Sequence, residues 1–295
     1  MLGYPSELNY SYDHIGTSPN TLEEIANGEH PIFEKLSEAE LPMIIVSSQT
    51  LAREDGEAIL NNIKSIAEKT NVINTDLQWN GMNVLHNEAS KVGACDLGIP
   101  QYSGKESLEG AKIVYLLAAD EFREEDIPED AFVIYQGHSG DKGAQFADIV
   151  LPGAAYTEKH ASYVNTDGRV QIGRKVVSAP ALAREDWKIL RALSEELGSP
   201  LPYDRTEELR GRIAELAPHL VKYDVVEPSG YEDLVVTHKR GDTKMSNVPF
   251  QDPIDNFYMT DSISRNSSVM ANCSREFNPK KNNNFKAPEI DFAGR

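Results

Sequence analysis

Ile113-Val114-Tyr115-Leu116-Leu117, then Phe132-Val133-Ile134-Tyr135, then Ile149-Val150-Leu151 closed by Pro152: these three apolar runs decide the fold class. Each is short, rich in branched and aromatic side chains, and set apart from the next by polar or acidic sequence. Such runs suit strands buried in a parallel sheet, and segments of this kind separated by helices and loops point to helices on the sheet's faces. The expectation is therefore α/β, a mostly parallel sheet with flanking helices.

Upstream, Met43-Ile44-Ile45-Val46 reads as a further buried strand. Ile59, Leu60, Ile63, Ile66 and Ala67 then recur at helical spacing between Glu54 and Lys69, which predicts an amphipathic helix. A second helix is predicted around Val84 to Ala94, with an end near Gly98 and Pro100. Downstream, Thr166-Asp167-Gly168 between Tyr163-Val164-Asn165 and Arg169-Val170-Gln171-Ile172 has the composition of a hairpin turn. Trp187, Leu190, Leu193 and Leu197 share one face of a helix ended by Gly198. A last packed helix, from about Thr206 to Leu216, is expected to be capped by Asp204 with Glu207 and to bury Leu209, Ile213 and Leu216.

Composition shifts divide the chain in three. Residues 1–40 carry Gly3, Pro5, Pro19 and Gly28 with one short helical candidate, Thr21 to Ala26, and read as an extended N-terminal arm that completes a domain of a partner chain. Residues 41–223 form the α/β scaffold. Residues 224–295 read as an irregular C-terminal extension with a weak helical stretch near Ser262 to Phe277; Asn278 to Arg295 is expected to be extended or disordered. In that last segment Lys280, Lys281, Lys286 and Arg295 face only Glu289 and Asp291, a balance of four minus two.

The glycine-rich loop Gly137-His138-Ser139-Gly140-Asp141-Lys142-Gly143 follows a strand directly, where backbone amides can approach a phosphate. It lacks the Lys-Ser/Thr of a P-loop after Gly143, leaves no room for a full helix before Ile149, and has Asp141 where a nucleophile elbow needs glycine. His138, Asp141 and Asp148 have no metal-ligand spacing, and a hydrolase built on Ser139 or His138 has no further support. The loop is expected to satisfy its own backbone and to meet a neighbouring segment. Glu158, Lys159 and His160 form a second polar cluster, expected to be a solvated surface; His14, His30, His86, His219 and His238 are scattered without metal spacing.

The balance of 47 acidic against 29 basic side chains gives a formal charge of −18, which repels phosphate backbones and argues against nucleic-acid partners. No apolar run approaches the ~18 residues of a membrane span. Two cysteines, Cys95 and Cys273, are too few for an iron-sulfur cluster of about four thiolates or for a disulfide framework. Met1 to Glu40 holds eight carboxylates and one lysine, unlike the Arg-rich, acid-poor composition of a mitochondrial presequence.

Longer strings carry a resemblance. Tyr135-Gln-Gly-His-Ser-Gly-Asp141, Ala147-Asp-Ile-Val-Leu-Pro-Gly-Ala-Ala-Tyr-Thr-Glu-Lys159, Tyr163-Val-Asn-Thr-Asp-Gly-Arg169 and Ala183-Arg-Glu-Asp-Trp-Lys-Ile-Leu-Arg-Ala-Leu-Ser-Glu195 resemble the large iron-sulfur subunit family of mitochondrial complex I. Phe257-Tyr-Met-Thr-Asp-Ser-Ile-Ser-Arg265 is similar to that family's C-terminal region. The resemblance implies an α/β fold of Rossmann type, like the molybdopterin-dependent oxidoreductases but without their cofactor. It implies no catalytic, cofactor-binding or metal-ligating residue in this chain.

On the same ground, iron-sulfur clusters are expected in a partner: a cysteine-rich N-terminal half on a separate polypeptide, as in a split subunit. Other matrix-arm subunits of complex I are further expected partners, and the expected location is the matrix side of the mitochondrial inner membrane. The alternative, suggested by Ala147 to Pro152, is a cofactor-binding part of a molybdopterin-dependent oxidoreductase.

Overall fold

A computed structural model describes residues 1–6, 8–89, 91–99, 104–227, 244–252 and 254–278. Pro100, His238, the basic residues from Lys280 to Arg295, and the expected disorder of that last segment lie outside the described residues. By internal contacts the chain divides into two units: the described residues of 1–92, 165–169 and 226–253, and those of 93–164, 170–225 and 254–295.

The first unit begins with helices α1 (Pro19–Asn27) and α2 (Ile32–Glu38). Strand β1 (Ile44–Ser47), helices α3 (Ser48–Leu51) and α4 (Gly56–Lys69), the short strands β2 (Ile73–Asn74) and β3 (Trp79–Asn80), and β4 (Met82–Leu85) follow. β1 and β4 pair in parallel, Val46 opposite Val84, with α4 in the connection. The apolar stripe of α4 is the reason for this arrangement: Ile59, Ile63 and Ile66 are buried and meet Leu22, Ile25 and Ala26 of α1. Burying each isoleucine is worth roughly 1.5–3 kcal/mol.

Two expectations change here. Residues 1–40 are not simply an arm, because Pro19, Leu22, Ile25 and Ala26 give α1 a buried face that the many turn formers around it obscure. Residues 82–85 are a strand where a helix from Val84 was predicted, and helix α5 (Lys91–Asp96) starts only later. Val84 has a paired neighbour in β1, and that long-range pairing overrides local propensity.

The second unit holds the apolar runs at 113–117, 132–135 and 149–151. Strands β5 (Ile113–Leu117), β6 (Phe132–Gly137) and β7 (Ile149–Pro152) form one parallel sheet in the order β5-β6-β7, with Tyr115, Ile134 and Ile149 in one row. Both connections step the same way across the sheet, so right-handed crossover puts both on one face. That face buries Val114, Leu116, Val133 and Tyr135 against Leu108, Phe122, Ile127, Ala144 and Ala147.

The other face is open over much of its length: Ile113, Leu117, Phe132 and Ile149 are 65%, 48%, 43% and 45% exposed.

Helix α6 (Lys142–Phe146) lies between β6 and β7. β8 (Ala161–Val164) and β9 (Val170–Gly173) make the predicted antiparallel hairpin, closed by Asn165 N to Arg169 O at 3.1 Å and Gly168 N to Asn165 O at 3.0 Å.

Helix α7 (Asp186–Glu196) ends where predicted, with Gly198 left-handed at φ +70° and the amides of Gly198 and Ser199 donating back to Glu195 and Ser194. In α8 (Thr206–Leu216) the Glu208 carboxylate, rather than Glu207, accepts from the Asp204 and Arg205 amides, which lowers its pKa. Leu197 and Leu216 differ from expectation: they are 73% and 57% exposed. The last described elements are α9 (Ser262–Arg265) and α10 (Ser268–Phe277), within the stretch read as weakly helical.

Candidate functional site

Residues from four of the strings that carry the sequence resemblance, those at 135–141, 147–159, 183–195 and 257–265, meet at the carboxyl ends of β5 and β6, the end of an open parallel sheet where ligands characteristically sit. Gln136, fully buried in β6, donates through Nε2 to Asp186 Oδ1 at 2.9 Å and accepts the Tyr115 hydroxyl proton. Lys159 completes this group by an ion pair with Asp186. Burial pushes the Tyr115 hydroxyl pKa up, and the Asp186 charge adds to it. Every polar atom named here has a partner, which a buried amide requires.

Beside it, Tyr135 explains the glycines of the loop. Its ring lies where a Cβ on Gly143 would come to 2.6 Å, and a Cβ on Gly137 would come to 2.5 Å from its hydroxyl oxygen. These glycines therefore make room for an aromatic side chain, whereas the sequence alone also allowed them to make room for a phosphate. The Tyr135 hydroxyl sits 3.3 Å from Asp120 Oδ2 and 3.2 Å from the Ser139 carbonyl, and Asp120 Oδ1 accepts from Gly143 N at 2.8 Å. Burial first, and Asp120 second, drive the Tyr135 pKa well above its ordinary value.

The candidate residues read from sequence go separate ways. Asp141 accepts from Arg265 Nε at 2.6 Å, and Asp148 Oδ2 accepts from Val133 N at 2.8 Å, holding the start of β7 to β6. His138 is exposed. Among the described residues no three His, Cys, Asp or Glu side chains gather as a metal site. Ser139 Oγ lies 3.4 Å from the Ser262 carbonyl and accepts from Asn266 Nδ2 at 3.3 Å, contacts that give it no base.

Glu158 accepts from Ala155 N at 3.0 Å, and His160 Nδ1 accepts from Lys175 N at 3.4 Å. The cluster expected to be solvated is thus partly structural, through Lys159 above all. His219 pairs with Asp96 at 2.8 Å, His14 with the Gly3 carbonyl at 2.9 Å, and His30 accepts from Ile32 N at 3.2 Å. Cys95 and Cys273 are free thiols. Sequence reading missed Asp120, Glu121, Gln136, Asp186 and Arg265 as a group. Three of them stand inside the strings that carry the resemblance, but nothing local announces their pairing.

In the first unit a cleft of about 420 Å³ lies between Gln49–Asp55 and Ser246–Asp252. Within it Arg53 Nε donates to Asp55 Oδ1 at 2.7 Å, and Arg53 also donates to the Val248 and Pro249 carbonyls while its guanidinium stacks on Phe250. Asp55 is 3% exposed, and the Arg53 hydrogen bond holds its pKa below the usual range. Arg53 and Asp55 are thus engaged in fixing residues 246–250.

The likeness to known proteins is extensive. Residues 1–196 match the molybdopterin oxidoreductase family. The chain belongs to that family. Residues 225–273 match a second one, which describes the C-terminal region of an NADH-ubiquinone oxidoreductase subunit. The chain is similar to the mitochondrial NADH-ubiquinone oxidoreductase 78 kDa subunit of Candida albicans, 46% identical over 296 residues, covering 97% of this chain and 40% of that protein. The corresponding subunit of Neurospora crassa is 43% identical over 298 residues, with 99% and 39% covered.

A Solanum tuberosum protein, the mitochondrial NADH dehydrogenase [ubiquinone] iron-sulfur protein 1, is 43% identical over 273 residues, with 92% and 36% covered. The chain spans about two fifths of the length of these relatives.

As a molybdopterin oxidoreductase family member, the chain can be tested against the cofactor its family name implies. The loop at 137–143 does not fit a phosphate-bearing pterin. Tyr135 fills the space beside Gly137 and Gly143, the neighbouring Asp120, Glu121 and Asp141 are anionic, and the cations beside them, Lys142 and Arg265, are engaged with the Phe122 carbonyl and with Asp141 and Glu121.

Proposed function

We propose that this chain is a structural part of the large iron-sulfur subunit of respiratory complex I, buttressing a cluster-bearing polypeptide while holding no redox centre or nucleophile of its own. The observation that carries this reading is the open face of the parallel sheet. Parallel sheets are found covered on both faces, and an apolar row such as Ile113, Leu117, Phe132 and Ile149 left to water marks a surface that another chain covers.

The chain's own crossovers are used up on the opposite face. The occupant is therefore a partner presenting an apolar helix face, drawn from the cysteine-rich, cluster-bearing part of such a subunit. An obligate contact of this kind buries about 2,000 Å² or more.

The likeness to the 78 kDa subunits over nearly the whole of this chain supports placement in complex I, among its other matrix-arm subunits, on the matrix side of the mitochondrial inner membrane. Among the described residues no helix is long and apolar enough to cross a membrane, in keeping with peripheral attachment.

The second reading, a cofactor-binding part of a molybdopterin-dependent oxidoreductase, rests on the family match at residues 1–196. One purification separates the two. The native assembly captured through this chain is expected to contain a cysteine-rich iron-sulfur polypeptide, identified by mass spectrometry, with iron and no stoichiometric molybdenum. Molybdenum at one equivalent per chain would favour the second reading. Capture of this chain alone, across detergents and salt, would overturn the first.

A further inference from the structure

Two stretches, Tyr135 to Asp141 and Phe257 to Arg265, lie far apart in sequence and meet in space: Asp141 and Arg265 are 124 residues apart along the chain and 2.6 Å apart as an ion pair. We propose that the carboxyl ends of β5 and β6 form a guanidinium-recognition site, and that its ligand is an internal peptide, residues 257–266, presented through Arg265. The site draws one carboxylate from each loop. Glu121, after β5, accepts from Arg265 Nη2 at 2.6 Å; Asp141, after β6, accepts from Nε at 2.6 Å.

A planar guanidinium presents its N–H donors in a fixed fork and so meets two carboxylates at once, a geometry that the point charge of a lysine ammonium does not match. The Arg265 side chain is 18% exposed and that of Asp141 15%. Burial works against the arginine's charge, yet its pKa is held above the ordinary value by Asp141 and Glu121.

The peptide is shaped to deliver that group. Asp261 caps α9 by accepting from the amides of Ile263 and Ser264 at 2.8 and 3.0 Å, and Asn256 accepts from Tyr258 N at 3.1 Å. Arg265 Nη1 reaches the Met259 carbonyl at 3.4 Å, bracing its own segment. Ser139 then receives the backbone and side chain beside it, at Ser262 and Asn266. The end of the sheet that other folds offer to anionic ligands thus holds a guanidinium between two carboxylates here.

The test is hydrogen exchange of residues 257–277 in the full chain, with Trp187 fluorescence confirming that the second unit stays folded. Arg265→Ala and Asp141→Asn are each expected to speed exchange there by roughly 10- to 100-fold, the span set by losing a hydrogen bond to a charged group. Arg265→Lys should recover only part of the protection. Exchange in Arg265→Ala within about twofold of the unsubstituted chain, or full protection in Arg265→Lys, overturns the proposal; these outcomes are independent of whether the chain belongs to complex I.

Discussion

The two units are held together by different means. In the first, α1 and α4 close on each other through aliphatic side chains, Ile59 and Val72 reach zero exposure, and the segment at 244–252 adds Met245 and Phe250 to the same core. In the second, one face of a parallel sheet is packed, the other is open except where Asp186 meets Gln136, and its carboxyl end is secured by polar groups that must all be present at once: Gln136 with Asp186, Tyr135 with Asp120, Arg265 with Asp141. Aliphatic packing is tolerant of detail. A buried polar network is costly when half made, so it specifies one arrangement of the sheet's carboxyl end.

Each unit holds one of the chain's two tryptophans, Trp79 in the first and Trp187 in the second, so the contrast can be measured unit by unit. The largest effect is expected from Ile59→Ala, about 2–5 kcal/mol lost from the transition reported by Trp79 in denaturant, with the Trp187 transition in place. Equal shifts in both would erase the distinction between the units. Gly143→Ala drives a methyl group into the Tyr135 ring and the Ala119 carbonyl, and should cost about 1–3 kcal/mol at Trp187 alone.

A pH titration sharpens the comparison further. Because the pKa of Asp55 is lowered in the fold, its contribution is fully present above its ordinary value of 3.8 and is lost as pH falls through the lower, folded value. The first unit should therefore lose stability in that acidic range, and Asp55→Asn, costing about 1 kcal/mol near neutrality, should flatten that dependence at Trp79. The smallest effect on the chain itself is expected from Phe132→Lys, within about 0.5 kcal/mol, because that ring already faces water. The same substitution should nevertheless abolish capture of the iron-sulfur polypeptide.

The sequence shows where each region's fold comes from. The strands at 113–117, 132–137 and 149–152 were legible because an apolar run of that length has few other uses, and α4 and α7 because periodicity and a C-terminal glycine mark them. Strand β4 was not, since Met82 to Leu85 becomes a strand only by pairing with β1. The buried face of α1 was hidden among turn formers. At the site, the sequence placed the glycine loop correctly and excluded the common phosphate and nucleophile motifs, but the glycines' purpose needed the ring of Tyr135, two positions from one and eight from the other. Arg265 was unreadable as a ligand because its carboxylates lie in loops more than a hundred residues upstream.

A photo-crosslinking residue placed at Ile113 in the native assembly probes the open sheet face most directly. An adduct should form between this chain and an iron-sulfur polypeptide, and it should be lost when Phe132→Lys is added. A chain that stays uncrosslinked at position 113 within the intact assembly, its isoleucine side of the sheet still reached by water, would contradict the assignment of that face to a partner.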